Sequence, residues 1–131
     1  GIMENKDILL FSDGSPTRTF CYIADAIVGY LKVLDNCFNG PINIGSDTGE
    51  ISVKEMALIY KEIASEFFGY KGSIKFANSL DSKYLVDNPI RRVPDISLAR
   101  LKLNFEPSIS NKEGVKKYLT FLKEKNIFWM Y

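Results

Sequence analysis

The stretch SVKEMALIYKEIASEFFG, from Ser52 to Gly69, constrains this chain more than any other. Ser52 followed by Glu55 is a capping box, in which each side chain satisfies an otherwise orphaned amide of the other residue. Met56, Ile59, Tyr60, Ile63, Ala64 and Phe67 then recur at helical spacing on one face, and Gly69 is placed to close the helix. A helix with a single apolar face must lay that face against another layer.

Several segments can supply that layer. Ser110 with Glu113 is a second capping box, opening a helix with Val115, Tyr118, Leu119 and Leu122 on its buried side. DILLF (residues 7–11) and SIKFA (residues 73–77) read as strands, and PINIG (residues 41–45) as a short strand ending in a glycine turn. TFCYI (residues 19–23) reads as a short extended piece. Asp25 is placed to cap a helix carrying Ile27, Tyr30, Leu31 and Leu34, which Asn39-Gly40-Pro41 stops. A short helix is expected from about Asp95 to Leu103. Residues 78–94 are polar and proline-punctuated, in the manner of a binding loop. This order is not a clean βαβαβ alternation; it predicts one small α+β domain of short strands and about four helices.

Composition removes whole classes of chemistry. The 131 residues hold 17 basic and 16 acidic side chains, a net charge of +1, so there is no footprint for nucleic acid. The absence of histidine excludes Ser-His-Asp triads, Cys-His dyads and histidine-ligated zinc. Cys21 and Cys37 are too few for a zinc cage, and their apolar neighbours predict buried, reduced thiols and a cytoplasmic setting. No run is long enough to span a membrane and no signal peptide is visible. Lys116, Lys117, Lys123 and Lys125 read as a solvated helix face rather than a polyanion site. The opening Gly-Ile-Met suggests a chain that is processed or cut from something longer.

Three arginines and one asparagine stand out. Arg18 follows the tight turn Asp13-Gly14-Ser15-Pro16, and Arg91 and Arg92 lie in DNPIRRVPD between stiffening prolines. A guanidinium matches phosphate oxygens bidentately, so two loop arginines could grip a diphosphate if the fold unites them. The alternative is that each pairs with a nearby carboxylate such as Asp13, Asp87 or Asp95. Asn43, within an apolar run, either satisfies its amide on backbone or meets a ligand. Phe67, Phe68, Tyr70, Phe105 and Phe128 read as core, and FWMY (residues 128–131) as an end packed on its own domain or a partner contact. The sequence holds no Gly-x-Gly-x-x-Gly turn, no Walker loop and no Tyr-x-x-x-Lys.

Four stretches carry a resemblance: DGSPTRTFCYIADAIVGYLKVL, GPINIGSDTGEISVKEMA, DNPIRRVPDISLARLKLNFEP and SNKEGVKKYL. In that order they resemble the C-terminal part of extended short-chain dehydrogenase/reductases, the NAD-dependent nucleotide-sugar epimerases, dehydratases and decarboxylases. The resemblance implies an α/β parent whose Rossmann portion holds NAD and the catalytic Tyr-x-x-x-Lys, with isomerase or lyase chemistry. This chain would be its nucleotide-sugar-binding region, with no catalytic residue and no cofactor or metal of its own. By resemblance Arg18 and Arg92 contact the diphosphate, Asn43 lies near the nucleotide, and Asp95 orders the loop and reaches toward the ribose. Residues from about 20 to 46 would pack on the Rossmann domain, so that Ile27, Leu31, Leu34, Ile42 and Ile44 are undercovered here. Association of copies through that segment, by edge pairing or a swap, is therefore expected. Departures from the family pattern are Pro16, Val93 and Asn104. The alternatives are a stand-alone nucleotide- or phosphate-binding module and a protein-interaction module.

Overall fold

A computed structural model describes residues 1–77 and 89–124. The expected tail at 128–131, with Phe128, Lys125 and Asp87, and most of the 78–94 loop lie outside the described residues. The remaining chain is a mixed α/β unit with strands β1 (Ile8–Leu10), β2 (Thr17–Arg18), β3 (Ile51–Ser52), β4 (Ile74–Phe76) and β5 (Arg91–Arg92). Helices α1 (Ile23–Asp35), α2 (Val53–Phe68), α3 (Ser97–Leu103) and α4 (Asn111–Glu124) complete it.

The capped helix forms as its sequence dictates. Glu55 N–H donates to Ser52 Oγ, Ser52 N–H donates back to the Glu55 carboxylate, and Gly69 closes α2 with φ 64°. Met56, Ile63 and Ala64 are buried against Val115 and Leu119 of α4, with Tyr70 completing this first core. The α4 start is simpler than the sequence suggests. Glu113 N–H donates to Ser110 Oγ, but the Glu113 carboxylate lies 3.4 Å from Lys117, one turn on. Parallel strands β1 and β4 pair Ile8 with Ile74 and Leu10 with Phe76 beside this core.

A second core joins α1 to α3. Ile96, Ala99, Leu103 and Phe105 are buried, with Val33, Phe38, Ile42 and Ile44 packed on them. Helix α1 departs from expectation at both ends. Tyr22, not Asp25, is its N-cap residue, and the Asp25 carboxylate instead accepts from the amides of Ser108 and Ile109, pinning the approach to α4. The helix stops at Asp35, before Asn39-Gly40-Pro41. Cys37 turns left-handed with φ 48°, and Phe38 N–H donates to Val33 O as its ring joins the second core.

The extended piece expected from residue 19 joins no ladder, and the strand expected at 41–45 does not form. Pairing by β2 ends at Arg18; Phe20, Cys21 and Tyr22 then line a cavity together with residues of α2 and α4, and Tyr22 lies against Gly114. Residues 41–45 form no strand: Ile42 and Ile44 serve the second core. The anticipated strand edge at 41–45 is therefore absent, and within the segment expected to associate the exposed apolar residues lie on the outer face of α1. There Ile23, Ile27, Tyr30, Leu31 and Leu34 are all exposed, Leu34 at 73%. The thiols also differ from expectation. Cys37 is exposed because its turn faces outward, while Cys21 is half-buried and its thiol pKa is raised by that burial. No described helix is long and apolar enough to cross a membrane.

Candidate functional site

The turn before Arg18 is built from its own side chains. Ser15 donates from both its amide and its hydroxyl to the Asp13 carboxylate, and these bonds hold that carboxyl below its usual range. Gly14 has φ 77°, and a Cβ there would stand 2.8 Å from Lys54 Cβ, so only glycine fits. The turn sits on the start of α2. Lys54 N–H donates to Gly14 O and Val53 N–H to Pro16 O, so two amides of the first helical turn find partners there. The chain leaving the turn is thus aimed by a rigid helix end.

Strand β2 lies in the middle of a three-stranded sheet ordered β3-β2-β5. It is antiparallel to β3 and parallel to β5, with Thr17 opposite Arg91 and Arg18 opposite Arg92. Opposed residues of a parallel pair point to the same side, and neighbours along a strand to opposite sides. Arg18 and Arg92 therefore share one face, and Thr17 and Arg91 the other.

Arg18 donates through Nη2 to Pro89 O at 2.7 Å and through Nη1 to Thr17 O at 2.6 Å. Its guanidinium is thereby held over the entry to β5. Arg92 is exposed. The carboxylate pairing considered from sequence takes a different form for Arg91, whose partner is Glu50, through Nε at 3.0 Å and Nη2 at 2.9 Å. Thr17 Oγ1 donates to the same Glu50 at 2.6 Å. These bonds, that of Thr17 first, hold the Glu50 carboxyl below its usual range.

Three residues beyond Arg92, Asp95 turns the chain into α3. Its carboxylate accepts from the amide and hydroxyl of Ser97, and these bonds lower its pKa. Asn43 Nδ2 donates to Asp95 O at 2.9 Å, so the Asn43 amide is satisfied on backbone and ties the 41–45 segment to the β5–α3 connection. The fold thus pairs Arg18 with Arg92 and Asn43 with Asp95, with Val93 and Pro94 between the two pairs.

Sequence reading missed two clusters. One is the Thr17–Glu50–Arg91 bridge. The other is Arg100 of α3, which grips Asp47 through Nη1 and Nη2 and Glu106 through Nε at 2.6 Å. Each carboxyl is held low by Arg100, and the guanidinium pKa is raised, first by Glu106 and then by Asp47. Beyond β2, an apolar cavity of about 490 Å³ is lined by Phe20, Tyr22, Met56, Tyr60, Val115 and Tyr118. Among the described residues no group of three or more His, Cys, Asp or Glu could hold a metal ion.

Comparison with known proteins adds a family. The model of the NAD dependent epimerase/dehydratase family matches residues 1–45. UDP-glucuronic acid decarboxylase 1 of Arabidopsis thaliana is 32% identical over 123 residues, covering 94% of this chain and 26% of that protein. UDP-glucuronic acid decarboxylase 3 of the same plant is 34% identical over 113 residues, covering 86% and 30% respectively. Epimerase Mth375 from Methanothermobacter thermautotrophicus superposes with a TM-score of 0.80 at 25% identity, covering 97% of this chain and 36% of its own. UDP-glucuronic acid 4-epimerase from Bacillus cereus, solved with UDP-glucuronic acid and NAD, gives 0.73 at 26%, covering 95% and 37%. The chain thus spans only about a quarter to a third of the curated relatives it matches.

Proposed function

We propose that this chain, whose residues 1–45 match the NAD dependent epimerase/dehydratase family model and 94% of which aligns with UDP-glucuronic acid decarboxylase 1, is the part of such an enzyme that grips the diphosphate of a nucleotide sugar. The observation that carries this reading is the register of β2 and β5, which makes Arg18 and Arg92 neighbours on one sheet face. Two arginines paired across adjacent strands suit two linked phosphoryl groups, each guanidinium able to give charge-assisted bonds that are shorter and stronger than neutral ones. Asn43 and Asp95, tied to each other through the Asp95 carbonyl, flank the Arg92 side of the grip and would border the nucleoside. The names of the relatives support UDP as the nucleotide and a uronic acid as the sugar.

Binding at the diphosphate lies remote from the sugar carbons that react. Its energy is spent on holding the sugar in place, which turns an encounter into an oriented reaction. NAD, when bound by the parent, supplies transient oxidation of the sugar. The residues of this chain do not fit that cofactor: its sequence has neither a glycine-rich dinucleotide turn nor Tyr-x-x-x-Lys. We therefore assign NAD and proton transfer to a portion of the parent outside this chain, and to this chain the nucleotide grip. The exposed row on α1 supports an outer packing surface for that portion.

In the parent enzyme, Arg18→Ala or Arg92→Ala is expected to weaken UDP-glucuronic acid binding by about 10- to 100-fold, the worth of one charge-assisted hydrogen bond. Calorimetric titration checks it, and unchanged affinity in both variants overturns the grip.

A further inference from the structure

The face opposite the two arginines has its own construction. Strands β2 and β5 pair over two residues each, so their ladder is minimal. Backbone pairing sets Arg18 and Arg92 about 5 Å apart at their Cα atoms, and like charges directly opposite each other destabilise a strand pair. On the near side Arg18 offsets that repulsion by donating to Pro89 O, and the Thr17 amide donates to Ile90 O; the far face adds a side-chain bridge. Glu50, the residue before β3, accepts from Thr17 of β2 and from Arg91 of β5. One carboxylate thus fastens the middle strand to one edge while its own backbone leads into the other edge. Among the described residues, the acids Asp13 and Asp95 are engaged elsewhere, with Ser15 and Ser97.

We propose that Glu50 is a positioning residue for the Arg18–Arg92 pair: by bridging Thr17 and Arg91 on the far face, it sets the spacing of the two guanidinium groups that receive a nucleoside diphosphate. The proposal rests on the diphosphate reading above. Glu50 lies on the face opposite the arginine pair and acts through its two partners. Its charge also occupies Arg91, which without it is a third cation able to draw an anion to the wrong face.

The test uses the 131-residue chain, titrated with UDP and with UMP and followed by amide NMR. UMP lacks the second phosphate and reads the nucleoside alone. Glu50→Gln is expected to weaken UDP about tenfold and UMP much less, with the melting temperature little changed. Arg91→Gln is expected to do the same, and the double variant to add little to either, because the two residues act as one unit. Independently of ligand, exchange of the Thr17 amide, which donates to Ile90 O at 2.8 Å, is expected to accelerate in Glu50→Gln relative to α2 amides.

Unchanged Thr17 exchange and unchanged UDP affinity in Glu50→Gln, with Arg18→Ala still weakening UDP, overturn the positioning role and leave the diphosphate reading standing. UDP affinity indifferent to both Arg18→Ala and Arg92→Ala, or no UDP response at about 10 mM, removes that reading and the proposal with it. Should Glu50→Gln fail to fold, Arg91→Gln cuts the same bridge from its other end and is judged by the same two readouts.

Discussion

Replacing Gly29 by alanine sets two effects of opposite sign against each other. Gly29 lies in the middle of α1, where alanine is favoured over glycine by about 1 kcal/mol on helix propensity alone. A Cβ at this position, however, would stand 2.4 Å from Ile44 Cγ2 and 3.0 Å from Phe105 Cε2. Carbon atoms rest at about 3.5–4.0 Å, so the Ile44 methyl must retreat by roughly 1 Å or more. Ile44 is β-branched and stiff at χ1, and Phe105 is 1% exposed, so neither can yield without moving the second core. Overpacking of this kind costs typically about 1–3 kcal/mol. With a 2.4 Å approach to a stiff Ile44 the cost lies in the upper part of that range, so the clash outweighs propensity and Gly29→Ala should lose up to about 2 kcal/mol net, read as a lower urea midpoint at unchanged slope. Gly69→Ala is the control, since a Cβ there meets nothing within 4 Å and only the left-handed backbone is strained. Gly69→Asn should recover much of that loss, because asparagine tolerates this conformation. A Gly29→Ala chain more stable than wild type would refute the packing argument outright.

Acid sensitivity should trace partly to Arg100. Asp47 and Glu106 have lowered carboxyl pKa values in the folded chain, so their stabilising contribution is complete above the ordinary carboxylate range and is lost as pH falls through the folded values. Arg100→Met should be less stable at pH 7, with the gap to wild type closing on acidification; parallel midpoint–pH curves would contradict this. The exposed α1 row should make the isolated chain self-associate at micromolar concentration. Leu31→Lys with Leu34→Lys should then shift sedimentation to monomer, and a wild-type monomer at all concentrations contradicts it.

Local rules made part of this structure legible. The Ser52–Glu55 box and Gly69 bound α2 because each acts through neighbours within one turn. The strands at 8–10 and 74–76 were readable from their apolar runs. Residues 41–45 misled because β-branched composition records a half-buried surface, not a ladder partner. Helix α1 outran its expected N-cap and fell short of its expected stop because Asp25 and Phe38 answer to distant segments, the approach to α4 and the second core. At the site, Arg18 and Arg92 were visible as candidates, but spacing alone could not show them adjacent; only the family pattern suggested it. Glu50 and the Arg100 cluster left no periodic trace, since their partners are brought together by the fold. A glutamate two residues ahead of a capping box, with two arginines in a proline-bounded loop, was the one available hint.

The guanidinium of Arg18 reaches a carbonyl 71 positions further along the chain. Closing a loop of that size costs about 4 kcal/mol of chain entropy, against which a ladder two residues long offers little. Both helical packings must subsidise the closure, one holding the turn at the head of α2 and the other anchoring α3 behind Asp95. Damage to either half of the molecule would be felt first where β2 meets β5, long before either helical pair unravels.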